Sequence, residues 1–133
     1  MPCTLTFRPN IIVMDIESYR NYCMAKAGVT ESFPFDEQTL VFKVMGKMFA
    51  LADVDEFVSM NLKCDPERAV ELREKYDGSI LPGYHMNKKH WNTVVTDGTV
   101  PDRLLQELID HSYDLVVSSL PKKLKAELAS LNQ

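Results

Sequence analysis

The chain has no long hydrophobic run, and no stretch approaches the ~20 apolar residues that a membrane helix needs. The first thirteen residues, MPCTLTFRPNIIV, hold one arginine and an apolar run from Ile11 to Met14 only. That is too short for the core of a secretion signal, so the cytoplasm is the expected location and no membrane contact is expected. Cysteine is scarce too. Cys3, Cys23 and Cys64 are odd in number and widely spaced, with no C-x-x-C pair. They are read as small buried hydrophobes in a reducing compartment. The five glycines are scattered singly, which excludes G-x-G-x-x-G and Walker-type phosphate loops. There is no G-x-S-x-G elbow and no cysteine beside a histidine, so nothing points to nucleophilic catalysis. His85 and His90 are five apart with no carboxylate or cysteine between them, an unsuitable spacing for a metal pair, and His111 reads as a partly buried helix residue. Catalytic residues, metal ligands and a cofactor are therefore not expected, and the chain is read as non-enzymatic. Positive charge is also in deficit. Fifteen lysines and arginines face nineteen acids, a formal charge of −4. Strong non-specific nucleic-acid binders usually carry a basic face and often a basic total, so any such binding must come from a local patch and be weak.

What is present describes one soluble α+β domain. At 133 residues, with 45% hydrophobic and 26% charged residues, the chain suits a single core. DIESYRNYCMAKA places Ile16, Tyr19, Cys23 and Ala27 on one helical stripe, with Gly28 to stop it. TESFPFDEQT reads as an irregular loop around Pro34. LVFKVMGKMFALAD reads as a hairpin, with Leu40, Phe42 and Val44 alternating and Gly46-Lys47 as its two-residue turn. FVSMNLK sets Val58, Met60 and Leu62 on one face and Ser59, Asn61 and Lys63 on the other. Such alternation implies a sheet covered on one side and wet on the other. Asp53, Asp55 and Glu56 read as an exposed turn between these strands. A helix begins at CDPERAVELREKYDG, with Asp65 as cap and Pro66 in the first turn. After the strand WNTVVTD, a long helix with Thr99 and Asp102 as a capping box carries Leu104, Leu105, Leu108, Ile109, Leu115 and Val116. Pro121 ends it, and KKLKAELASL forms a short closing helix. Strands in a run joined by short turns imply an antiparallel sheet with helices packed on one face.

One window stands apart. From Gly78 to Thr96 there is no acid, and PGYHMNKKHWNTVV concentrates Tyr84, His85, Asn87, Lys88, Lys89 and His90. Lysines meet phosphates as point charges, Asn87 can donate to phosphate or base, and Tyr84 or Trp91 can stack on a base. The alternative is a solvated loop leading into a strand whose Trp91 is buried. Trp91 is read as core, and the lysine pair is left open between the two.

From about Met14 onward the sequence resembles the MmcQ/YjbR family. The matching pieces are SYRNYCMAKAGVTESFPFDEQTLVFKVMGKMFAL, NLKCDPERAVELRE, PGYHMNKKHWNTV and ELIDHSYDLVVSSLPKKL. The resemblance implies a CyaY-like two-layer α+β domain over residues 14–133. Residues 1–13 are expected to form an extension that adds little to the fold, with Met14 as the expected natural start. It also implies DNA binding, because family members are described as DNA-binding on the likeness of their fold to a double-wing domain. Weak, phosphate-directed contacts to DNA from the 82–91 loop are therefore expected. The alternative is a protein-interaction or small-ligand module using the same loop.

Overall fold

The structure is a computed structural model that describes residues 14–83 and 86–131. The expectation for residues 1–13 falls outside that range. Helix α1 spans Ile16–Met24, where Asp15 caps it by accepting the Ser18 amide at 2.8 Å, and it buries Tyr19 and Cys23. Strand β1, Val29–Ser32, follows where a loop is expected. It carries one aliphatic residue and lies at the edge of the sheet, so hydrophobic periodicity gave no signal for it. Strands β2 (Thr39–Val44) and β3 (Lys47–Asp53) form the anticipated hairpin, but its turn is Met45-Gly46 and not Gly46-Lys47. Both turn residues have positive φ, 50° and 86°, the pairing that matches the twist of a tight hairpin. The register slips between Phe42 and Lys43, so Phe49 is an extra residue on β3. That bulge turns both Phe49 and Ala50 toward the helices, and the Phe49 ring meets Tyr113 edge-on at 5.4 Å.

Strand β4 is Ser59–Lys63, and its Met60 and Leu62 are buried as expected. Val58 precedes the strand and is 60% exposed, so it does not join their face. Helix α2 (Pro66–Lys75) has the predicted Asp65 cap, which accepts from the Arg68 amide. Strand β5, Ile80–Pro82, has three residues and no counterpart in the sequence reading. Its proline is tolerated because the strand lies at the sheet's other edge. Strand β6 is Trp91–Val95. Helices α3 (Asp102–Ser118) and α4 (Lys122–Leu131) close the chain. The capping box is not formed: α3 is capped by Pro101 without a side-chain bond. Thr99 instead bonds Asp97 and Ser79, while Asp102 accepts the Met14 amide at 3.1 Å.

The six strands run in the order β1-β2-β3-β4-β6-β5, every neighbouring pair antiparallel. Leu40, Phe42, Val44, Met60, Leu62, Ile80 and Val94 face the helices, meeting Tyr19, Leu72, Leu105, Ile109 and Val116 in one core. This is the α+β sheet-and-helix layering expected from the sequence. Cys23 and Cys64 are buried in that core. Desolvation pushes their thiols up to about 12 and about 11, so both stay protonated and unreactive at neutral pH. The other face of the sheet is not simply wet. Val41, Leu51 and Trp91 form a second, smaller apolar cluster there, with Met48 and Met86 packed on it. Among the described residues, no helix is long and apolar enough to cross a membrane.

Candidate functional site

From the acid-free window, Met86 and Trp91 join the cluster on this second face. Gly83 starts the turn, its amide donating to the Trp91 carbonyl at 2.8 Å. A side chain at Gly83 would press on Trp91, because a Cβ there would lie 2.6 Å from the Trp91 Cβ and 2.9 Å from its carbonyl oxygen. Glycine is thus required by close approach of the two strands. A single helical turn then runs from Asn87, whose backbone carbonyl accepts from His90 at 3.2 Å and Trp91 at 2.9 Å. The Asn87 side-chain oxygen accepts the Lys89 amide at 2.9 Å, so that atom is used to close the turn. Met86 reaches down onto Val41, Leu51 and Trp91. Lys88 and Lys89 are left exposed, His90 is half-buried, and the His90 carbonyl holds the Cys64 amide at 2.8 Å. Tyr84 and His85 lie outside the described residues. Trp91 is only 8% exposed, so its ring is not available to stack on a base.

Arg73, on α2, secures this loop and had no mark in the sequence beyond its helical position. Its Nε donates to the buried Asn92 Oδ1 at 2.7 Å, and its guanidinium also reaches the carbonyls of Lys88 and Trp91. One planar fork thus joins helix, strand and loop. Arg73→Ala leaves a buried amide oxygen without its donor and is expected to destabilise the fold by about 1–3 kcal/mol. Arg73→Lys should rescue little, since an ammonium does not supply the same fork. Urea unfolding measures both variants, and an unchanged midpoint for Arg73→Ala would refute the bracing role.

Strand register then gathers residues that are distant in sequence. Lys63 pairs with Trp91 and Lys43 with Met48, so these four form one row across the open face, at the end of the sheet where the 83–90 loop emerges. Lys47 sits at the same end, in the register pair that closes the β2–β3 hairpin. The opposite end of the sheet is acidic: Asp36 and Glu37, Asp53, Asp55 and Glu56, and Asp97 lie on or beside its turns. Lys89 has acidic neighbours of its own, since it shares a shallow groove with Glu67, Glu71 and Arg73 of α2. Lys43, Lys63 and Lys88 are the cleaner cations. The residues expected as a grip thus fall into two sets. Lys88 and Lys89 project, while the Asn87 side-chain oxygen and the His90 carbonyl are engaged in holding the turn.

His111 does not belong to this site. Its Nε2 accepts the Asp65 amide at 3.1 Å, and burial together with Arg68 lowers its pKa, which fits the partly buried helix residue expected. No cluster of three or more potential metal ligands occurs among the described residues.

The fold and this face define a small two-layer α+β domain with a partly uncovered, charge-polarised antiparallel sheet. The chain belongs to the YjbR family, whose model matches residues 24–115. It is 36% identical over 119 residues to the uncharacterised protein YjbR of Escherichia coli K12, covering 89% of this chain and all of the relative. It is 42% identical over 92 residues to the uncharacterised protein YbdF of E. coli O157:H7, covering 68% and 75% of the two chains. The crystal structure of Deinococcus radiodurans protein DR2400, a DUF419 domain, superposes with a TM-score of 0.82 at 46% identity, covering 88% of this chain and 89% of that one. A Pseudomonas syringae protein structure gives 0.65 at 28% identity, over 77% and 98%.

Proposed function

We propose that the protein binds DNA weakly and non-enzymatically, through the basic end of its open sheet face and the adjoining 86–90 turn. The observation that supports it is the segregation of charge along the strands. Lys43, Lys63, Lys88 and Lys89 gather around one end of the face, and the acids of the connecting turns collect at the other. A surface of this kind attracts a polyanion even on a chain of net charge −4, and it orients the chain by repelling the same polyanion from the far end. With Trp91 covered, the contacts are to phosphates and not to stacked bases, so sequence preference is slight. Three or four phosphate contacts place non-specific affinity at roughly 10⁻⁴ to 10⁻⁶ M near physiological salt.

Titrating ¹⁵N-labelled protein with a short DNA duplex tests the location. Amide shifts are expected at Lys43, Met48, Lys63 and residues 86–91. Shifts confined to α3 and α4, or no shifts at millimolar duplex, would reject the surface.

A further inference from the structure

The acidic end of the same face holds a cleft that shares only Met86 with the proposed DNA-binding surface. Its cavity is ≈ 400 Å³, within the range of small-molecule sites. Leu51 and Asn61 line it from adjacent strands, joined by Thr39, Asp53 and Ser59, and Met86 and Phe35 enter from the two flanking loops. The Thr93 hydroxyl donates to Asn61 Oδ1 at 2.5 Å, which leaves the Asn61 NH₂ to serve the cleft. Asp53 Oδ1 accepts the Asp55 amide at 2.8 Å and the Glu56 amide at 3.4 Å, so its second oxygen is the one left for a guest. Among the described residues that line the cavity, Asp53 is the only charged one. Phe35 is 67% exposed, a large aromatic at the lip.

We infer that this cleft binds a small organic amine: an ammonium head paired with Asp53 and hydrogen-bonded near Asn61 and Ser59, on an apolar or aromatic body lying between Phe35, Leu51 and Met86. The charge argument is direct. A carboxylate beside an apolar floor favours a cation and repels an anion, and partial enclosure strengthens both effects relative to open water. Size limits the body to a single ring system or a short alkyl chain. Methionine at one wall lets the cleft adapt to either, because its side chain is flexible and polarizable. The inference goes beyond DNA binding and stands or falls separately, since its charge is opposite and, Met86 apart, its residues lie toward the opposite end of the face.

Phenethylamine and tryptamine serve as probes, with 3-phenylpropionate as the like-sized anion, each titrated against ¹⁵N-labelled protein. Saturable shifts from at least one amine are expected at Leu51, Asp53, Ser59 and Asn61, with Kd about millimolar, in keeping with so few heavy atoms. The carboxylate should leave these amides unmoved. Asp53→Asn keeps the oxygen that caps the following turn and should weaken amine binding at least tenfold. Phe35→Ala, at an exposed position with no core contact to lose, should weaken it severalfold. Failure of both amines to shift these residues, equal binding of the carboxylate, or unchanged affinity in folded Asp53→Asn would overturn the inference.

Discussion

Replacing Trp91 by alanine is expected to destabilise the protein by about 3–5 kcal/mol, the usual range for truncating a buried tryptophan. The ring lies outside the main helix-facing core, so the size of the effect is informative. Trp91 anchors the second cluster by contact with Val41 and Leu51, and it underlies Met86, which closes the loop. Its backbone is equally committed, pairing with Lys63, holding Gly83 and receiving Arg73. Thermal melts of wild type and Trp91→Ala measure the loss, with a fall of at least about 10 °C anticipated for a chain of this length. A cost below about 1 kcal/mol would mean that the second cluster is a surface decoration. Because the chain has a single tryptophan, its fluorescence is a clean companion. Emission should be blue-shifted and should stay constant when DNA is added.

The second large effect concerns binding. Lys43→Glu/Lys63→Glu reverses two charges on the open face at positions that bury no core group, and Lys88→Glu/Lys89→Glu does so on the turn. Each phosphate contact contributes a little over one decade of affinity at 50 mM salt relative to 1 M. Losing two is therefore expected to weaken duplex binding by at least about a hundredfold. Lys122→Glu/Lys123→Glu, at the start of α4, changes net charge by the same amount away from the face. It should reduce affinity far less. A control that weakened binding as strongly as the face variants would show that total charge, and not its placement, governs the interaction.

Much of this architecture is legible in the sequence because it is marked by strong local chemistry. Asp65 and Pro66 start α2 and Pro121 precedes α4 where they should, since caps and prolines act within one turn. The two edge strands were missed for a physical reason. β1 offers one aliphatic side chain and β5 three residues ending in proline, so neighbouring strands and not local preference define them. The second apolar cluster left a trace that alternation hid. Val41 between Leu40 and Phe42, and Leu51 between Ala50 and Ala52, are unbroken apolar runs, the mark of a strand covered on both faces. Of the expected site, Lys88 and Lys89 are exposed, while Asn87 lends its side-chain oxygen to the turn. Lys43 and Lys63 could not be joined to them from sequence, because only the pairing of β4 with β6 and of β2 with β3 brings them into one row. Arg73 was equally silent. An arginine on an amphipathic helix reads as solvated until the loop it holds is seen.

The salt dependence of duplex binding, followed by fluorescence anisotropy from about 20 to 200 mM salt, tests the lysine-lined face most directly. Three or four phosphate contacts predict a slope of log affinity against log salt of about −3 to −4, since each contributes ~0.9. In Lys43→Glu/Lys63→Glu the slope should become shallower by nearly two units, with the fold intact by thermal melt. Binding without salt dependence, or a slope unchanged in that variant, would contradict contact through this face.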